Sequence, residues 1–80
     1  MIVQRTPAAF RVAHGLVLLA TPAGESLDLA GPAAAVWLAA DEPCELDELT
    51  VRLAGTGLTS QEIDGATRDL LAAGLLGVVG

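Results

Sequence analysis

Few side chains in this chain could attack a substrate, move a proton or hold a metal. There is one histidine, His14, and one cysteine, Cys44. A cysteine nucleophile needs a base beside it, and nothing in the sequence brings Cys44 to His14. His14 lies in Ala13-His14-Gly15 and reads as a turn residue. One Cys and one His with scattered carboxylates do not make a zinc ligand set. Glu25, Asp28, Asp41, Glu42, Glu45, Asp47 and Glu48 read as solvated charges, several of them suited to helix starts. Gly55-Thr56-Gly57 lacks the lysine and the preceding strand of a phosphate loop. These residues predict no catalytic set, no metal site and no cofactor.

Recognition is the remaining chemistry, and it needs a surface. The stretch Glu25 to Trp37 changes period halfway. Leu27 and Leu29 alternate with Ser26 and Asp28, as in a strand with one wet face. Gly31-Pro32 breaks the strand, and Pro32 suits the first turn of a helix. Ala33, Ala34, Ala35, Val36 and Trp37 follow, most of them good helix formers. Trp37 is the expected core anchor of this corner.

Composition bounds the partners. A chain of 80 residues is one domain, with a core expected over about residues 8–76 and a small buried fraction. Hydrophobic content of 52% argues against disorder. A net charge of −6 without any lysine opposes binding to nucleic acid or to an anionic membrane surface. No apolar run has the ~18 residues of a membrane span, and Met-Ile-Val-Gln-Arg-Thr-Pro is no signal peptide. With a single cysteine, these features predict a cytoplasmic protein.

Around the corner the elements fall in order. Met1 to Pro7 reads as a loose lead-in. Phe10 to Val12 and Leu16 to Ala20 read as strands joined at Ala13-His14-Gly15, where Gly15 is free to take positive φ. Thr21-Pro22-Ala23-Gly24 is a β-turn signal, with Pro22 pre-setting φ. Glu25 to Leu29 is then the third strand of an antiparallel meander and lies at its edge, unless the N-terminus covers it. A first helix is expected from Pro32 to Ala40. A second starts near Glu45, with Leu46, Leu49 and Leu53 on one face. Thr59-Ser60-Gln61-Glu62 matches a capping box and opens a third. Ile63, Ala66, Leu70 and Ala73 form its buried stripe, and Gly74 closes it. Leu75 to Val79 reads as an apolar, extended tail. The fold class is α+β, a three-stranded antiparallel sheet followed by three helices.

The frame Leu29-x-Gly31-x-Ala33-x-x-Val36-Trp37, then Leu46-x-x-Leu49 and Leu53, then Ala73-Gly74-Leu75-Leu76, resembles the PqqD family, the peptide chaperones also called RiPP recognition elements. Ala30 stands where that family often has Asn, and Ala33 where it often has Gly. The resemblance implies a winged-helix-like domain without chemistry of its own. It would bind the leader segment of a ribosomally made precursor peptide and present it to a modifying enzyme, such as a radical SAM enzyme, a leader peptidase or a cyclase. PQQ and lasso-peptide biosynthesis are settings of that kind. The leader would add as a strand along Glu25, Ser26, Leu27, Asp28 and Leu29. Asp64, Thr67, Arg68 and Leu71, off the expected buried stripe of the third helix, would line the groove beside it.

Two other functions compete. A winged-helix DNA-binding domain needs a basic recognition helix, and the third helix carries Glu62, Asp64 and Asp69 against Arg68 alone. A structural subunit could instead dimerise weakly through the open edge.

Overall fold

The computed structural model describes residues 1–21 and 23–79 of the chain. Among the described residues six strands and three α-helices follow one another as β1 (Ile2–Arg5), β2 (Ala9–Ala13), β3 (Leu16–Ala20), β4 (Ser26–Leu29), α1 (Gly31–Ala39), β5 (Cys44–Glu45), α2 (Leu46–Arg52), α3 (Ser60–Ala72) and β6 (Leu76–Val79). A short 3₁₀ turn, Ala54–Thr56, lies between α2 and α3. The class is α+β, as expected. The strands form two small antiparallel sheets, in the orders β2-β3-β4 and β5-β1-β6.

The first sheet is the predicted meander. His14 and Gly15 both take positive φ, 53° and 76°, as a two-residue type I′ hairpin turn requires. Direct cross-strand partners share a face, so Phe10, Val12, Val17, Leu19, Leu27 and Leu29 lie on one side. Val17 and Leu19 are buried there against the helices. Arg11, Leu16, Leu18, Ser26 and Asp28 lie on the other side. The turn into β4 is held by the Gly24 N–H donating to the Thr21 carbonyl at 2.9 Å. The role expected of Pro22 in this turn lies outside the described residues.

The second sheet corrects the expectation of a loose lead-in. Ile2–Arg5 is its central strand, and Val3 is fully buried. Its partners are Cys44–Glu45 and the tail Leu76–Val79, so the tail is paired strand. The core therefore begins ahead of residue 8.

At the corner Gly31 has φ 57°, a conformation that a residue with a Cβ adopts only under strain, and Pro32 follows in the first turn. The α1 helix is apolar all round, as befits a helix with neighbours on several sides. It packs against β3, α2 and α3. Trp37 is buried, and its ring meets Phe10 edge-on at 5.0 Å. Arg52 closes the end of α1 by donating from Nη1 to the Ala39 carbonyl at 2.8 Å. The α3 capping box is present: Thr59 Oγ1 accepts from the Glu62 N–H at 3.1 Å, and Glu62 accepts from the Thr59 N–H at 3.0 Å. Gly74, at φ 76°, closes α3 as predicted. Ala73, expected on the buried stripe, is exposed.

Candidate functional site: the open edge of β4

In an antiparallel ladder, residues facing the neighbouring strand with both N–H and C=O alternate with residues that face away. A two-residue hairpin makes its flanking pair, here Ala13 and Leu16, a hydrogen-bonded one. Leu16, Leu18 and Ala20 therefore bond to β2, which leaves Val17 and Leu19 to bond to β4. Their partners are Leu29 and Leu27. The other end of the pair agrees. The Thr21 N–H donates to the Glu25 carbonyl at 2.9 Å, two residues before Leu27. So Leu27 and Leu29 bond inward, and Ser26 and Asp28 turn their main-chain N–H and C=O groups to the open edge.

The side chains alternate the other way. Leu27 and Leu29 pack half-buried against the core, and Ser26 and Asp28 are exposed on the outer face. Beside the start of β4 lies a cleft of about 320 Å³, lined by Leu27 of the strand, by Thr21, Ala23 and Glu25 of the turn before it, by Thr6, Pro7 and Ala8 between β1 and β2, and by Ala73, Gly74 and Leu75 just past α3. A peptide added to β4 would find unpaired main-chain groups along Ser26 and Asp28 and an apolar hollow at one end. Glu25 and Asp28 are exposed and give the edge a negative charge.

The expected residues of α3 are not gathered at this cleft. Thr67, expected to line the groove, is instead 2% exposed on the buried stripe, and its hydroxyl donates to the Ile63 carbonyl at 2.7 Å. Asp64 and Thr67 instead line a second hollow, shared with Leu46, Asp47 and Thr50 at α2. Arg68 is exposed and pairs with Asp64 at 2.9 Å. Leu71 is half-buried against the core. The α3 flank that meets the β4 cleft is the one ending at Ala73. Helical spacing puts the exposed Asp69 on that flank, roughly opposite Asp64, Arg68 and Leu71. Sequence alone offers no signal for Asp69, because a helix with one buried stripe has two flanks and periodicity does not say which one meets the sheet.

His14 stands exposed on the β2–β3 turn, and Cys44 is buried in the other sheet. Burial pushes the Cys44 thiol pKa up, Arg52 opposes the rise, and Glu48, Asp41 and Glu45 add to it. A thiol held protonated in this way is a poor nucleophile. Among the described residues no helix is long and apolar enough to cross a membrane. Comparison of the chain with family models, with curated proteins and with solved structures finds no match.

Proposed function

We propose that this protein is a non-catalytic, cytoplasmic peptide-binding domain that takes up the leader segment of a ribosomally synthesised precursor by strand addition to β4. It then presents the precursor to a modifying enzyme, such as a radical SAM enzyme, a leader peptidase or a cyclase. The observation that carries the proposal is the β4 edge, where Ser26 and Asp28 offer outward main-chain groups beside a cleft formed with the end of α3. Strand addition draws its affinity from such groups and its specificity from pockets for alternate side chains. The resemblance of the Leu29-to-Trp37 frame to the PqqD family supports the same use. Glu25, Asp28 and Asp69 make basic residues in the bound segment favourable. The domain works as a monomer, or as a weak dimer through the same edge.

The test is a titration of the isotope-labelled protein with synthetic peptides from the short reading frames beside its gene. A cognate leader should shift the amides of Ser26 and Asp28 and slow their hydrogen exchange. A peptide that binds while leaving both untouched would place the site elsewhere.

A further inference from the structure

The meander has a second open edge, β2, at the side opposite β4. The ladder parity that frees Ser26 and Asp28 also decides what β2 offers. Ala9, Arg11 and Ala13 bond inward to β3, so the main-chain groups of Phe10 and Val12 face out. Phe10 and Val12 are also 42% and 58% exposed, although both lie on the core side of the sheet. An apolar, unpaired edge of this kind is a template for another strand.

The charge around this edge is unlike the rest of the molecule. Arg52 pairs with Asp41 and Glu48, and Arg68 with Asp64. Arg5 and Arg11 have no carboxylate within 4.0 Å among the described residues. Both sit at β2. Arg11 is on its outer face, and Arg5 holds its guanidinium 4.9 Å from the centre of the Phe10 ring and 4.8 Å from that of Trp37. In a chain of net charge −6 the two arginines without an ion-pair partner among the described residues thus lie on and beside β2.

We propose that β2 docks an acidic, extended segment of a partner protein by antiparallel strand addition. The new strand would place apolar residues opposite Phe10 and Val12 and an acidic residue between them, opposite Arg11 on the outer face. A second copy of this chain fits badly. Two fully overlapped β2 strands would set Arg11 against Arg11, and the registers on either side would set it against Ala9 or Ala13, never against a carboxylate. The acidic strand β4 has the wrong parity. Its outward residues, Ser26 and Asp28, would lie opposite Phe10 and Val12, which leaves Arg11 facing Leu27 or Leu29; Glu25 comes opposite Arg11 only where Val12 meets Gly24, outside the strand. The occupant is therefore a different chain with the pattern apolar–acidic–apolar.

The probe is the capped peptide Thr-Val-Glu-Val-Glu-Val-Thr, with its twin carrying lysine for glutamate. Each is titrated to millimolar concentration into the isotope-labelled protein. The glutamate peptide should shift the Phe10 and Val12 amides and bind roughly tenfold tighter than its twin, a modest value for charges at a partly exposed site. Arg11→Glu should reverse that preference. Ser26→Pro, altered only at the opposite edge, should bind the glutamate peptide normally, which keeps this result separate from the leader-binding proposal. No shift at Phe10 and Val12, shifts centred on β4, or an unchanged preference in Arg11→Glu would each overturn the proposal.

Discussion

The indole N–H of Trp37 donates to the main-chain oxygen of Leu75 at 3.1 Å. That oxygen is a junction. The Thr6 N–H also donates to it, at 3.0 Å, and the Thr6 hydroxyl lies 3.1 Å away, with its single proton shared between Leu75 and the Gly74 carbonyl at 3.0 Å. One carbonyl just past α3 thus ties α1 to the end of the N-terminal strand.

This geometry separates two substitutions at Trp37. Removing the ring in Trp37→Ala takes a buried aromatic from the core and should cost ~3–5 kcal/mol, close to the whole stability of a small domain. Trp37→Phe keeps most of the packing and loses one hydrogen bond, while the Leu75 oxygen keeps its Thr6 partner. Its cost should be about 1 kcal/mol. Urea unfolding measures both. Equal losses in the two variants would mean that the hydrogen bond, not the packing, is the anchor.

The α3 capping box is exposed and local, so its contribution should be separable from the core. Thr59→Ala should lower stability by about 1 kcal/mol, with the unfolding slope unchanged. Peptide binding at saturation should stay as in the parent, because the box lies at the far end of α3 from Ala73. A variant as stable as the parent would show that the first turn of α3 is held by packing alone.

What could be read from the sequence was what is local. The meander, the positive φ at Gly15, the capping box and the Gly74 closure each rest on residues within a few positions of one another. Ile2–Arg5 is not legible as a strand because its partners, Cys44–Glu45 and Leu76–Val79, are distant in the chain and one of them is only two residues long. A short run such as Ile-Val-Gln-Arg does not reveal such pairing. Thr67 reads as a surface residue because its hydroxyl is polar, yet that hydroxyl bonds back to Ile63 within its own helix and can be buried at little cost. The β4 edge is legible in the sequence, but which of its residues face outward depends on the parity that the neighbouring hairpin imposes.

Cys44 supplies a pH prediction. Burial raises its folded-state pKa above the ordinary cysteine value. A raised pKa stabilises the fold fully below the unfolded value, and that contribution is lost as pH rises through the folded value. Stability should therefore decline from about pH 8.5 upward, and Cys44→Ser should remove that part of the decline. At neutral pH the thiol should react with an alkylating reagent far more slowly in the folded protein than in urea. Rapid alkylation without denaturant would show that β5 opens readily.

A proline scan across β4 tests the edge and the ladder parity together. Proline deletes one N–H and fixes φ, and an edge strand tolerates it where the N–H faces outward. The Leu27 N–H bonds inward to β3, opposite Leu19, so Leu27→Pro should break the ladder and lower the unfolding midpoint sharply. Ser26 and Asp28 turn their N–H groups outward, so Ser26→Pro and Asp28→Pro should remain folded, with far-UV spectra like the parent. Each deletes one hydrogen bond to an added strand, and each should weaken leader binding by roughly tenfold, the equivalent of about 1.4 kcal/mol. Ser26→Ala and Asp28→Ala keep the main chain and should bind nearly as the parent does. Calorimetry with a cognate leader, read beside the unfolding midpoints, gives the comparison. If Ser26→Pro and Asp28→Pro fold and bind as tightly as the parent, the leader does not dock on β4. If they unfold while Leu27→Pro is stable, the parity is the reverse of the one derived from the Ala13–Leu16 hairpin.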